Sequence, residues 1–158
     1  MRVDVDKAYK FEKDRRAMMT IIDTAVSKFE NGSQEILVQQ ACIYVAETLS
    51  YDYDTLNPNL VKALKTSKGS CNVYSTLFRL VLHRLGIKSD VCIGFTEDGG
   101  YHGWNRVASP EGQYRYYDVT VYDNYNADEY LGATESYHEL VTINRFLTNE
   151  ELAMRQQS

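Results

Sequence analysis

The sequence predicts an α+β domain, with helices in its first half and an antiparallel sheet in its second. Before residue 86, apolar residues recur at helical spacing in successive stretches. Beyond it the period drops to two, as Val91, Ile93 and Phe95 alternate with Cys92 and Gly94. Two turn signals, Glu97-Asp98-Gly99-Gly100 and Ser109-Pro110-Glu111-Gly112, then divide the chain into short strands. Helices gathered before strands make an α+β pattern, as opposed to alternating βα units.

Taken in order, Met18, Ile21, Ile22, Ala25, Val26 and Phe29 keep i, i+3, i+4 spacing and predict a helix over about residues 9–30. Asn31-Gly32-Ser33 stops it and caps the next helix, whose apolar face is Leu37, Val38, Ala41, Cys42, Val45 and Leu49. Ser50 to Asp54 reads as a polar, aromatic loop, followed by a short helix from Pro58 to Lys65. Lys68-Gly69-Ser70-Cys71-Asn72-Val73-Tyr74 is a glycine turn leading into a helix. That helix carries Tyr74, Leu77, Phe78, Val81, Leu82 and Leu85 and ends at Gly86, with Ser70 as its N-cap. Strands are expected at 91–95, 101–108 and 114–121. Thr148 and Glu151 have capping-box spacing and predict a short last helix. There are no repeats, low-complexity tracts or linker, so residues 1–158 read as one domain.

A length of 158 residues allows a real core, and the 44% hydrophobic and 25% charged fractions suit a globular chain. The net charge of -5 and the lack of a Lys/Arg cluster argue against a nucleic-acid partner. No stretch is long and apolar enough to span a membrane, and the mixed, charged N-terminus does not read as a signal peptide. The three cysteines show neither CxxC nor zinc-type Cys/His spacing, so no structural metal is expected.

The chemistry centres on Cys71. A thiol in the first helical turn faces the positive end of the helix dipole, which favours the nucleophilic thiolate. His102, in Tyr101-His102-Gly103-Trp104-Asn105, and Asp118, in Tyr117-Asp118-Val119-Thr120, follow downstream. Thiol, imidazole and carboxylate are the parts of a cysteine nucleophile with an oriented base. Cys42 and Cys92 lie on an apolar helix face and within a strand and read as buried hydrophobes. A disulfide between them stays open. Trp104 packs beside the sheet or lines the site.

A geometric expectation follows from the second turn. Pro110 and Gly112 fit a type I turn closed by a left-handed glycine, which sets Ser109 opposite Gln113. Counting back puts Trp104 opposite Asp118 and His102 opposite Thr120. His102 and Asp118 then share a face as diagonal neighbours, roughly 7–8 Å apart at Cα. A one-residue slip would separate them. His83 lies along the same helix as Cys71, about 18 Å away at 1.5 Å per residue. His138, towards the C-terminus, is a reserve base without clear geometry.

Gly69-Ser70-Cys71, His102-Gly103-Trp104-Asn105 and Asp118-Val119-Thr120 resemble the motifs of the transglutaminase-like superfamily, in particular its bacterial transglutaminase-like cysteine peptidase branch. Those motifs run Gly-x-Cys, His-Ala-Trp-Asn and Asp-x-Thr. Leu85-Gly86-Ile87 and the Val91 to Phe95 strand fall between them as in the family. Tyr51-Asp52-Tyr53 and Phe146-Leu147-Thr148-Asn149-Glu150-Glu151 also look like this branch. The resemblance covers roughly residues 35–152. It departs at Gly103, where alanine is common, and at Asn72, where this branch often has glutamine.

The resemblance implies a papain-like core with the nucleophile helix packed on an antiparallel sheet. It makes Cys71 the nucleophile, His102 the base and Asp118 the orienting carboxylate. The expected chemistry is acyl transfer from amide bonds of a protein or peptide, with water or an amine as acceptor and no cofactor or metal. Tyr51, Tyr53, Asn72 and Trp104 are candidate groove residues. The Cys71 N–H is the first candidate oxyanion donor, and the Tyr51–Asn57 loop is a candidate source of a second. Relatives of this branch occur in secreted and envelope proteins. The alternative is a catalytically silent domain that binds peptides or proteins on a bacterial surface.

Overall fold

The computed structural model describes residues 5–52 and 60–144. Its helices are α1 (Val5–Ser27), α2 (Gln34–Thr48), α3 (Leu60–Thr66), α4 (Cys71–Arg84) and α5 (Val119–Tyr125). Its strands are β1 (Ser50–Tyr51), β2 (Lys68–Gly69), β3 (Ser89–Phe95), β4 (Tyr101–Ala108), β5 (Tyr114–Tyr117), β6 (Leu131–Ala133) and β7 (Glu139–Asn144). A 3-10 turn, Asp128–Tyr130, precedes β6. The fold is the expected α+β arrangement, with helices packed on an antiparallel sheet.

Helix α4 is the centre of the molecule. Its sequence reads as amphipathic, yet every residue from Val73 to Leu82 is buried. The sheet covers one side, and α1, α2 and α5 cover the others. Met18 and Ile22 of α1, and Val38, Ala41, Cys42 and Val45 of α2, close the core around Leu77, Phe78 and Val81. Ile21, on the expected α1 stripe, is 40% exposed instead. Ser33 caps α2 as expected, its Oγ accepting from the Ile36 N–H at 3.4 Å.

The large sheet has the order β6-β5-β4-β3-β7 and is antiparallel throughout. The expected β4–β5 register holds. Ser109 N–H donates to Gln113 O at 2.7 Å, and pairing runs from Ala108↔Tyr114 to Asn105↔Tyr117. Gly112 has the positive φ, 86°, that the turn needs.

The strand expected over 114–121 is corrected: it stops at Tyr117, and α5 begins at Val119. The reason is Asp118, whose Oδ1 accepts the Val121 N–H at 3.1 Å as the helix N-cap. That cap starts a helix in a segment whose β-branched Val119, Thr120 and Val121 otherwise favour a strand. Thr120 therefore never pairs with His102.

Three further pieces shape the site. β1 and β2 pair in parallel, Ser50↔Lys68 and Tyr51↔Gly69, within what reads from sequence as loop. Asp52 N–H also donates to Gly69 O at 2.9 Å, so this segment lies beside the start of α4. The Tyr74 hydroxyl sits 2.5 Å from Asp123 Oδ2 and 3.1 Å from Leu49 O, tying α4 to α5 and to the end of α2. Finally, a Cβ on Gly94 would sit 1.8 Å from Glu139 O and 2.9 Å from Trp104 Cη2. Only glycine lets β7 approach there, next to a register shift between Ile93 and Gly94. Tyr53, Pro58 and the expected last helix lie outside the described residues.

Candidate active site

Cys71 opens α4, as its position after Gly69-Ser70 predicts. The cap differs from expectation. The Ser70 backbone oxygen accepts from the Val73 and Tyr74 N–H groups, while its buried hydroxyl has no partner and does not cap the helix. Gly69 is needed for packing: a Cβ there would lie 2.5 Å from Val73 Cβ. The turn can therefore press against the first turn of α4 and fix where Cys71 points.

On β4, Gly103 and Asn105 face α4. Asn105 Nδ2 donates to Ser75 O at 3.0 Å, and a Cβ on Gly103 would meet Asn72 Oδ1 at 3.4 Å. That is ordinary contact, so the alanine common in the resembling family would fit. Cys71 is half-buried, and His102 and the Gly103 N–H both act on its thiolate. Burial opposes its thiolate, but the donor and positive charge that His102 offers, with the Gly103 N–H, outweigh this and lower its pKa. Cys42 and Cys92 are also free thiols but fully buried. Burial holds Cys42 far above the usual thiol range, and Cys92 is pushed up to about 12.

His102 Nε2 lies 2.7 Å from Asp118 Oδ2, which leaves Nδ1 for Cys71. Burial works against the imidazolium. The bonds to Asp118 and Cys71 and their charges prevail and raise His102 to about 10. Asp118 is 3% exposed, yet its carboxyl is held below the usual range. Burial opposes this, and the bonds from His102 and His138 outweigh it. His102 and Asp118 thus meet, but not across a strand pair. The register carries the chain to Tyr117, and the helix cap turns the carboxylate towards His102.

His138, a reserve base without clear geometry in the sequence, lies in the site. Its Nε2 lies 2.6 Å from the same Asp118 Oδ2. It packs edge-on against His102 and Trp104, with ring centroids 5.0 Å away in each case. The sequence did carry a signal, the isolated Gly94 inside a strand, which marks close backbone approach. Trp104 is 2% exposed and stacks on His102 at 6.0 Å, so it is both a core residue and a wall of the site. Asn72 lies beside Gly103, Tyr51 is 41% exposed next to Gly69, and Tyr53 lies outside the described residues. His83 is exposed, on α4 well past Cys71.

His102, Asp118 and His138 offer ligand atoms within 4.8 Å of one another. Both Nε2 atoms already bond Oδ2 at 2.6–2.7 Å. Ligand atoms around a tetrahedral zinc stand roughly 3.3 Å apart. As arranged, the two imidazoles are joined by hydrogen bonds through Asp118 Oδ2.

The family profile described as "Transglutaminase-like superfamily" matches residues 24–119. No curated protein sequence matches the chain significantly. Among solved structures, a TGase is similar at TM-score 0.57 and 20% identity, over 71% of this chain and 33% of that one. A candidate cysteine protease from Cytophaga hutchinsonii is similar at TM-score 0.55 and 14% identity, over 67% and 37%. Calcium-bound LapG from Legionella pneumophila is similar at TM-score 0.61 and 11% identity, over 98% and 99%. The chain thus spans about a third of the length of the first two, 33% and 37%, and nearly all of the third. At these identities the likeness is one of fold. Calcium takes six to eight oxygen ligands, and the His-Asp-His cluster, with two imidazoles and one carboxylate, does not suit it. With the profile matching more than half of its length and the fold shared with these structures, the chain belongs to the transglutaminase-like superfamily.

Proposed function

We propose that this chain is a cysteine-nucleophile acyl-transfer enzyme of the transglutaminase-like cysteine peptidase kind, acting on amide bonds of proteins or peptides. The observation that carries the reading is the His102–Asp118 pair, Nε2 to Oδ2 at 2.7 Å, acting on Cys71 at the start of α4. The first two similar structures, named as a TGase and a candidate cysteine protease, add weight because both names imply attack by a thiol on an acyl group.

Cys71 thiolate attacks the amide carbonyl, with its own N–H at the start of α4 as an oxyanion donor. His102, as imidazolium, gives its Nδ1 proton to the leaving amine. Asp118 fixes the tautomer with the other proton on Nε2 and stabilises the cation. The thioester then passes to water or to an amine, with His102 as base for the incoming group.

Turnover of a peptide library containing glutamine and ordinary amide bonds, with and without an added primary amine, tests this. A Cys71 thioester seen by mass, lost in Cys71→Ala, is the expected result. Turnover that survives in Cys71→Ala would contradict it. A protein that binds peptides and never forms the thioester would favour the silent binding domain.

A further inference from the structure

We propose that His138 is a positioning residue, a second imidazole donor on Asp118 that limits how strongly this carboxylate pulls on His102. The proposal rests on the triad reading above.

The geometry is that of one oxygen shared by two rings. Asp118 Oδ2 lies 2.7 Å from His102 Nε2 and 2.6 Å from His138 Nε2. The three side chains are 4%, 10% and 7% exposed, in the order Asp118, His102, His138. A carboxylate only accepts, so both Nε2 atoms carry protons. His138 Nδ1 is buried with no partner. A proton there would be a donor without an acceptor, so the arrangement keeps Nδ1 bare. For packing alone, a phenyl ring would fill this place and leave no polar atom unmet. What the imidazole adds is its Nε2–H on Asp118.

The ring is held where it can do this. It stands edge-on to His102 and Trp104 and stacks on Tyr130 at 5.8 Å. Gly94 admits the start of β7, which brings the preceding residue, His138, over Trp104.

An oxygen that already accepts one N–H is a weaker acceptor for the next, because each donor stabilises the carboxylate on its own. His138 therefore leaves His102 a less stabilised cation, and so a better acid for a leaving amine. Removing it hands the full strength of Oδ2 to His102. Asp118 stays oriented, because Oδ1 still accepts from Val121 N–H.

The other groups that bear on this cluster come from several elements. They are Cys71 of α4, Asp98 of the β3–β4 turn, and Tyr130. Glu97, Glu129 and Tyr137 act on Tyr130 in turn. None of the side chains named here donates to Asp118 Oδ2 besides the two imidazoles.

The test is a pH titration of His102, read from its ring 15N shifts, in wild type, His138→Phe and His138→Gln. In His138→Phe the pH at which His102 loses its imidazolium proton is expected to rise by about one unit, the size of a single charged hydrogen bond traded between partners. His138→Gln keeps an N–H donor and returns the titration towards wild type. An unchanged titration in His138→Phe would mean the ring only packs, and a fall would mean it only steadies His102; either overturns the proposal. The wild-type spectrum decides even if His138→Phe fails to fold. Nε2–H on both rings supports the proposal, and Nδ1–H on His138 overturns it. Brief iodoacetamide labelling of wild type separates the two readings. If Cys71 reacts no faster than Cys42 and Cys92, the triad reading falls and takes this one with it. If Cys71 leads but the titrations coincide, only the role of His138 falls.

Discussion

Asp118→Asn removes one charge at the point where three hydrogen bonds meet. The carboxylate accepts from Val121 N–H on one oxygen and from His102 and His138 on the other. An amide can meet this set in two ways. If its oxygen keeps the Val121 cap, its NH2 faces both Nε2 atoms, and each ring must move its proton to Nδ1. His102 then presents an N–H to Cys71 and is no longer a base, and His138 holds a buried N–H with no acceptor. If the amide turns over, both rings keep their tautomers but the cap of α5 is lost, at about 1 kcal/mol. Either way two charge-assisted bonds become neutral ones, about 1 kcal/mol weaker each. Together with the lost cap or the unmet donor, this destabilises by about 2–5 kcal/mol. For a chain of this length that is a fall of roughly 5–15 °C in Tm. The rate falls further, since the comparable change in a serine triad is about 10⁴-fold. Thermal melting and kcat/KM on the same samples measure both. Tm unchanged, with more than a tenth of the activity kept, would refute the shared-carboxylate reasoning.

Cys71→Ala is expected to melt within about 1 kcal/mol of wild type, because the thiol is half-buried at a helix start, whereas Leu77→Ala in the core loses about 2–5 kcal/mol. Acyl transfer should fall as the pH rises through about 10, where His102 gives up the proton that the leaving group needs; the thiolate forms below the ordinary thiol range, so activity rises on the acid side first. A kcat/KM profile still rising above pH 11 would contradict this sign. Gly69→Ala drives a methyl into Val73, 2.5 Å from its Cβ, and should cost about 1–3 kcal/mol and displace Cys71. The Cys71 labelling rate reads that displacement, and a rate unchanged in Gly69→Ala would contradict it.

The parts of the fold that follow local rules were legible in the sequence. Ser33 capping α2, the 109–113 turn and the alternation of β3 and β4 depend on neighbours in the chain, and each formed where its residues indicate. Asp118 reads as strand because β-branched residues follow it. Its role as an N-cap depends on a carboxylate choosing backbone N–H groups over strand pairing. α4 reads as one-sided because spacing shows only the apolar stripe, whereas burial on every side comes from packing against remote elements. β7 and His138 are remote from Cys71 in sequence, and only tertiary pairing with β3 brings them in. The candidate triad was legible for a different reason: the chemistry of thiol, imidazole and carboxylate restricts residue types more tightly than folding does.

The central claim is that Cys71 is a thiolate prepared for attack, and its reaction with iodoacetamide measures that directly. Native protein is treated briefly at neutral pH, quenched, digested and mass-mapped at all three cysteines. Cys71 has a lowered pKa and partial exposure, while burial keeps Cys42 and Cys92 protonated. The expected result is modification of Cys71 well ahead of the other two, and a smaller lead in His102→Gln. Equal labelling of all three, or a lead for Cys71 that His102→Gln leaves untouched, would contradict the account.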